Sequence, residues 1–142
     1  MGEYKRIERI VGAYIASRYK NVVEIGVGSN PVAARIIHDN GISVRCTDIR
    51  CVPPVQGIIC LEDDIFSPDP ALYRGADLIY SIRPAVEMVP PMISLARVVD
   101  ADLLVYHLGF EYWRDGGELI DCGVPIHLYH RRSEAVKGGL AL

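Results

Sequence analysis

The feature that most constrains the fold is the stretch VVEIGVGSNP at residues 22–31. Its β-branched beginning indicates a strand that is buried on both faces. Gly26 and Gly28 predict a tight turn at which a ligand can approach the backbone closely. Asn30 and Pro31 are typical of a helix N-cap and of a first helical residue. A strand, a glycine turn and a helix N-terminus together predict the binding crevice of an open α/β sheet.

The composition is that of one globular domain, which we expect to span residues 1–142. The 15 basic and 18 acidic residues are nearly balanced. This balance indicates neither a strongly basic nucleic-acid surface nor an acidic tail. A short basic face would still allow RNA as a substrate. The chain shows no signal-peptide pattern and no apolar run of about 20 residues. We therefore predict a cytoplasmic protein that does not act at a membrane.

The cysteines do not follow the C-x-x-C spacing of a zinc site. Cys46 and Cys60 lie in apolar, strand-like runs, where we expect them to act as small core residues. Cys122 would need both His127 and His130 to bind a metal, but residues three apart on a strand point to opposite faces. We therefore predict no metal site.

Hydrophobic periodicity alternates between the strand and helix patterns along the chain. It predicts helices over 4–20 and 31–39, a helical turn over 67–73, and strands over 22–25, 42–47, 57–61, 76–81 and 102–107. Residues 49–55 are expected to form a loop, and Pro90-Pro91 to interrupt a segment that resumes as a helix to about Val99. The pattern predicts a Rossmann-like, doubly wound and mostly parallel sheet of order 3-2-1-4-5.

Two further segments close the predicted fold. Residues 118–121 and 126–129 are strand-like and predict an antiparallel hairpin at the edge of the sheet. Residues 131–142 are expected to be a frayed tail.

Polar residues follow several of the predicted strands, and in a doubly wound sheet these ends meet at one crevice. Asp48 ends the second strand, 22 residues after Gly26, close to the roughly 20 expected of an acid that accepts ribose hydroxyls. Asp63 and Asp64 follow the third strand, where an acid can accept from an adenine amino group. The sequence thus predicts a nucleoside-binding site.

The kind of nucleotide is indicated by two departures from the dinucleotide fingerprint G-x-G-x-x-G. Pro31 occupies the position of its third glycine. Glu24 lies two residues before Gly26, and a carboxylate there suits a ligand that carries an ammonium or sulfonium group. The alternative is that Glu24 accepts hydrogen bonds from the N–H groups of the turn itself.

These residues resemble the motifs of class I S-adenosylmethionine-dependent methyltransferases over roughly residues 18–107. Residues 22–30 are similar to the first motif, Thr47-Asp48 to the second, residues 63–66 to the third and residues 77–81 to the start of the fourth. Together with Tyr80-Ser-Ile-Arg-Pro84, the first motif more closely resembles a small uncharacterised archaeal family related to those enzymes.

The resemblance implies a role for each matching residue. Glu24 would orient the amino end of the ligand, and Asp48 would hold the ribose hydroxyls. Gly26 and Gly28 would lie under the methionine part, with the Tyr80-Ser81 backbone beside it. Asp64 or Asp63 would meet the adenine amino group. Asn30 replaces the third glycine of the motif and is expected to cap the helix.

The acceptor of the methyl group does not follow from the resemblance. Ser81-Ile82-Arg83-Pro84 stands where amino-methylating members carry Asn/Asp-Pro-Pro-Tyr, so a small molecule, RNA or protein is compatible. Methyl transfer relies on in-line positioning and needs no fixed triad. The residues available as a base or an anion clamp at the ends of strands four and five are Tyr80, Ser81, Arg83, Tyr106, His107 and Glu111.

Some of these candidates also have structural interpretations. His107 can relay a proton near neutral pH, or it can be a half-buried, hydrogen-bonded residue that ends a strand. Arg83 can clamp an anion or pair with Glu87. Tyr112 and Trp113 are either the edge of the core or a platform for the substrate.

The favoured prediction is a protein that binds S-adenosylmethionine and transfers its methyl group. The chain leaves only about 30 residues after the fifth strand, fewer than full-sized methyltransferases use to shape an acceptor pocket. The alternative is therefore a non-enzymatic module that binds NAD or another nucleotide for regulation or partner binding.

Overall fold

A seven-stranded sheet forms the centre of the protein in a computed structural model, which describes residues 2–51 and 57–133. The strands are β1 (Asn21–Ile25), β2 (Ser43–Asp48), β3 (Ile59–Glu62), β4 (Leu78–Ile82), β5 (Asp102–Tyr106), β6 (Glu118–Asp121) and β7 (Pro125–His130). The helices are α1 (Gly2–Ala16), α2 (Val32–Asp39) and α3 (Val89–Val99), with short 3₁₀ helices at Pro70–Tyr73 and Val86–Met88. None of the helices described is both long and apolar enough to cross a membrane.

The strand order is β3-β2-β1-β4-β5-β7-β6. The first five strands run parallel, and β7 pairs antiparallel with both β5 and β6. This confirms the predicted order 3-2-1-4-5 and the hairpin at the edge. The carboxyl ends of five parallel strands therefore lie along one edge of the sheet.

The two faces of the sheet carry separate hydrophobic clusters because successive strand residues point to opposite sides. Val22 packs on the side of α1 and α2, whereas Val23 packs on the side of α3. Gly12 allows α1 to approach α2 closely, since a Cβ at this position would lie 3.1 Å from the carbonyl oxygen of Ala33. The β-branched residues of β1 are thus covered on both faces, as their type predicts.

The proline-rich start of α3 corrects the expectation of a break. Val89 begins the helix, and Pro90 and Pro91 lie in its first turn. Proline is tolerated there because the N–H groups of a first turn have no partner within the helix. In α2, Pro31 and not Asn30 takes the N-cap position, although the side-chain oxygen of Asn30 still accepts from the Val32 N–H at 3.3 Å.

The cysteines also depart in part from expectation. Cys46 is a buried core residue as predicted, but Cys60 forms a disulfide with Cys51. The parallel register of β2 and β3 places Cys60 opposite Cys46. The chain that follows β2 then brings the Cα atom of Cys51 to 5.9 Å from that of Cys60. Cys60 still packs against the core, but its disulfide was not predicted, because periodicity describes a strand and not the path of the loop beside it. Residues 52–56 of the predicted loop and 134–142 of the predicted tail lie outside the described residues.

Asp77 holds the beginning of β1, and its removal tests this contact. Its carboxylate accepts from the N–H groups of Lys20 at 2.9 Å and Asn21 at 3.1 Å. Asp77→Ala leaves both donors without that acceptor, so we expect the free energy of unfolding in urea to fall by about 1–2 kcal/mol. Asp39→Ala removes an exposed acid on α2 and should change it by less than about 0.5 kcal/mol. Equal effects of the two substitutions would contradict the role of Asp77.

Candidate functional site

The glycine turn after β1 lies where the chain leaves the sheet for α2. Gly26 and Gly28 have φ angles of +77° and +57°, which L side chains rarely adopt. The Gly26 N–H donates to the carbonyl oxygen of Thr47 at 2.8 Å, so the turn is fixed against the end of β2. A Cβ at Gly28 would meet no atom within 4 Å. Gly28 is therefore required by the backbone conformation, and the space above it is open.

Asp48 joins the end of β2 to this turn. Its Oδ2 accepts from the Gly28 N–H at 2.8 Å and its Oδ1 from the Arg50 N–H at 3.2 Å. A carboxylate has about four acceptor positions, so two are left for a ligand at this half-buried side chain. Asp48 can thus shape the turn and still accept ribose hydroxyls.

Asp63 and Asp64 have different surroundings. Asp63 accepts from the Tyr73 hydroxyl at 2.6 Å and from the Asp69 N–H at 3.1 Å. Burial, reinforced by Asp63, raises the pKa of Tyr73, which keeps its hydroxyl a donor. Asp64 is exposed and accepts only from the Phe66 N–H, at 2.9 Å, among the contacts described. Asp63 is the anchor of this loop, and Asp64 is the acid with acceptor capacity left.

A cavity of about 200 Å³ gathers these groups. It is lined by Ile25, Gly26, Thr47, Asp48, Ile49, Asp63, Asp64, Ile65, Phe66 and Met88. Ile49 and Phe66 are 70% and 59% exposed at its rim. The structure thus brings four predicted residues, Gly26, Asp48, Asp63 and Asp64, to one cavity that has apolar walls and acidic groups.

A second, smaller cavity of about 40 Å³ begins on the other side of Gly26. Glu8, Glu24, Asn30 and Arg83 supply its polar lining. Glu8 of α1 is only 1% exposed, accepts from the Asn30 side-chain amide at 2.9 Å, and pairs with the Arg83 guanidinium. Its Oε1 has no hydrogen-bond partner among the described residues. This cavity therefore contains a buried carboxylate oxygen that can accept a further donor.

Glu24 is the second acid of the small cavity. It is 3% exposed, and its Oε1 accepts from the Tyr80 hydroxyl at 2.8 Å. Burial raises the pKa of Glu24 to about 8. The hydrogen bond from Tyr80 lowers this pKa, whereas the charges of Glu8 and Asp48 raise it further. A cationic group beside Glu24 would favour its ionised form.

Most candidates for a catalytic base are engaged within the protein. Burial raises the pKa of Tyr80, whose hydroxyl is held by Glu24. Ser81 is buried and donates to the carbonyl oxygen of Ile25 at 2.8 Å. Arg83 pairs with Glu8 and lies 5.6 Å from the ring centroid of Tyr106, so the ion pair that the structure shows is with Glu8 and not with the predicted Glu87.

His107 lies away from both cavities, on the α3 face of the sheet. Its Nε2 is 2.7 Å from the Tyr129 hydroxyl, and its buried Nδ1 has no partner in the described part of the chain. Burial lowers the pKa of His107, and His127 nearby adds to this effect. Glu111 is exposed in the loop after β5.

Glu8 was not identified from the sequence, although a signal for it exists. Glu8, Val11 and Ile15 have the spacing of one helix face, and Val11 and Ile15 are buried apolar residues. An acid on that face requires a buried partner. The periodicity of α1 could have raised this question, but only the fold shows that the partners are Asn30 and Arg83.

The comparison with solved structures identifies the fold. The CcbJ methyltransferase from Streptomyces caelestis superposes with a TM-score of 0.55 and 13% identity over 69% of this chain. CalS10, an S-adenosylmethionine-bound amino pentose methyltransferase from Micromonospora echinaspora, does so with a TM-score of 0.54 and 15% identity over 80%. The chain spans 50% and 58% of the lengths of these two proteins, so the similarity is one of fold.

Sequence comparison finds relatives in archaea. The UPF0146 protein PH0209 of Pyrococcus horikoshii is 37% identical over 115 residues, which are 78% of this chain and 88% of that protein. A UPF0146 protein of Archaeoglobus fulgidus is 34% identical over 103 residues, 72% of this chain and 79% of that protein. Residues 7–115 match the family as a whole. The chain therefore belongs to the uncharacterised protein family UPF0146, a small family found in archaea that shares its fold with class I methyltransferases.

Proposed function

We propose that the protein binds S-adenosylmethionine, or its demethylated product, at the glycine turn and transfers the methyl group to an acceptor. The observation that carries the proposal is that two cavities of different chemistry meet at Gly26. One has apolar walls and accessible acids, as a nucleoside requires. The other is small and acidic, as an ammonium group requires.

The larger cavity suits the adenosine part. Ile49, Ile65 and Phe66 offer apolar surface to a purine ring. Asp48 retains acceptor positions for ribose hydroxyls, and Asp64 retains them for an adenine amino group. Asp63 contributes indirectly by holding the loop through Tyr73.

The smaller cavity suits the amino-acid arm. An arm crossing Gly26 would bring its ammonium group to Glu24 and to the unpartnered oxygen of Glu8. Arg83 lies at the same cavity, and its guanidinium can donate to the carboxylate of the arm. The dinucleotide NAD has no such arm, and this difference supports the methyltransferase proposal over the NAD-binding alternative.

The bound sulfonium group would supply a methyl group whose bond to sulfur breaks as the bond to the acceptor forms. The main contribution of the protein would be to position the two groups in line, which can supply about 7–11 kcal/mol of the barrier. Tyr80 and Ser81 are hydrogen-bonded within the protein, so their part is to shape the site. His107 lies away from both cavities and is held by the Tyr129 hydroxyl, so the proposal assigns it no proton transfer. The proposal covers small molecules, RNA and proteins as acceptors of the methyl group.

Thermal unfolding with candidate ligands tests the proposal. Adenosylhomocysteine at about 100 times its Kd should add about 2.7 kcal/mol of stability, a rise in Tm of roughly 5–15 °C for this size. Asp48→Ala should lose most of this rise, because ribose acceptors are removed and Gly28 loses its partner. Asp39→Ala, the same change on α2, should retain the full rise. A response to NAD but not to adenosylhomocysteine would replace the proposal by the alternative.

The pH dependence of binding tests the assignment of Glu24. Its pKa of about 8 means that it is largely protonated in the free protein near neutral pH. Ionised Glu24 attracts an ammonium group, so the affinity for adenosylhomocysteine should rise between about pH 6 and pH 8. Titration calorimetry should show this rise in the native protein and a nearly flat profile in Glu24→Gln. A profile that is the same in both proteins would argue against contact between Glu24 and the ammonium group.

The stability of the free protein provides an independent measurement of the same group. The folded pKa of about 8 lies above the ordinary value of 4.5. Glu24 therefore contributes stability that is complete below about pH 4.5 and is lost as the pH rises to about 8. We expect Glu24→Gln to remove this decline in urea unfolding, whereas Glu87→Gln, a change at an exposed acid, should keep it.

A further inference from the structure

A groove of about 370 Å³ lies on the α3 side of the sheet, apart from the two cavities at Gly26. One wall is the stretch of α3 from Pro90 to Arg97. The facing wall comes from the loop after β5 and from β7, with Trp113, Arg114 and Tyr129. We call this feature the α3 groove. Its volume falls in the range of small-molecule sites, about 300–1,000 Å³.

The α3 wall changes from apolar to polar along its length. Pro90, Ile93, Ser94 and Arg97 have the three-and-four spacing of one helix face. The first two are apolar, Ser94 is exposed, and Arg97 lies exposed in the last turn. A ligand lying along this wall would meet apolar surface at one end and a guanidinium at the other.

The facing wall is held from behind by hydrogen bonds. The Trp113 N–H donates to the Tyr129 hydroxyl at 2.8 Å, and that hydroxyl lies 2.7 Å from Nε2 of the buried His107. Because the donor is the backbone N–H of Trp113, these contacts fix the Tyr129 side chain to the Trp113 backbone and to His107, which follows β5. The Tyr129 ring is therefore preorganised, which reduces the ordering cost of binding a flat group against it.

The groove carries two arginine side chains against one acid. Within the described part of the chain, neither Arg97 nor Arg114 makes an ion pair or a side-chain hydrogen bond. The Arg114 guanidinium lies 5.4 Å from the Trp113 ring centroid, and its backbone has a φ of +52°, a strained value for arginine. Asp115 already accepts from the Gly117 N–H at 3.0 Å. The groove thus presents a net positive charge beside aromatic surface.

We propose that the α3 groove binds a small planar molecule that carries a phosphate group. The ring would lie against Ile93, Trp113 and Tyr129, and the phosphate would pair with Arg97 and Arg114. Guanidinium groups present paired N–H donors that match phosphate oxygens, so two of them favour this anion. The site is independent of the proposed function, because it uses none of the residues placed around Gly26.

The protein carries its own reporter for this site, because Trp113 is the only tryptophan in the sequence. We expect phenyl phosphate to change the Trp113 fluorescence in a saturable way. Benzyl alcohol, which lacks the charge, and inorganic phosphate, which lacks the ring, should bind at least about tenfold more weakly. Titration calorimetry of the same compounds gives a measurement that does not depend on the fluorophore.

Paired substitutions complete the test. The double variant Arg97→Gln with Arg114→Gln should weaken phenyl phosphate binding by at least about tenfold. Arg6→Gln with Arg35→Gln removes the same charge from exposed positions on α1 and α2 and should leave binding unchanged. Thermal unfolding verifies that both variants fold. Two results would overturn the proposal: no heat and no fluorescence change up to about 10 mM, or equal binding by the two double variants.

Discussion

The structure depends on the pairing of β1 with a parallel strand on each side. Because β2 and β4 both pair with it, β1 ends in the middle of the sheet, where its neighbours connect to opposite layers. Residues of β1 point alternately to these layers, so Glu24 faces α1 and α2 while Ile25 faces α3. Gly26, which follows, borders both layers. The position of two chemically different cavities on its two sides is a consequence of this arrangement.

The acids around Gly26 are stabilised in different ways, and this decides what each can do. Glu8 and Glu24 are buried, which is costly for a carboxylate unless hydrogen bonds or opposite charges compensate. Arg83 and Asn30 compensate Glu8, whereas Glu24 has the Tyr80 hydroxyl and a raised pKa. Asp48 is half-buried, and each of its two oxygens accepts one backbone N–H and keeps a further acceptor position. Of the two buried acids, Glu8 is thus held by an arginine and an amide, whereas Glu24 is held by a single hydroxyl.

Much of the fold could be predicted because it follows from local patterns. The β-branched stretch at residues 22–25, the glycine turn and the acid at Asp48 each have a local signature, and the parallel order brings the strand ends together. The contacts that could not be predicted depend on how the chain is routed between elements. Examples are Glu8 against Arg83, and Cys51 against Cys60. The distinction between Asp63 and Asp64 also required the position of Tyr73, since adjacent acids look alike in a sequence.

The two prolines at the start of α3 have a consequence for the chemistry of the neighbouring site. Helix starts commonly hold anions through free N–H groups, and this one begins next to Met88 of the larger cavity. Pro90 and Pro91 have no N–H, and the Val89 N–H already donates to the carbonyl oxygen of Val86. The first three positions of α3 therefore have no hydrogen to offer a pyrophosphate. The start of α3 therefore differs from the usual anion-binding helix start, because it gives an anion no backbone hydrogen bond from these positions.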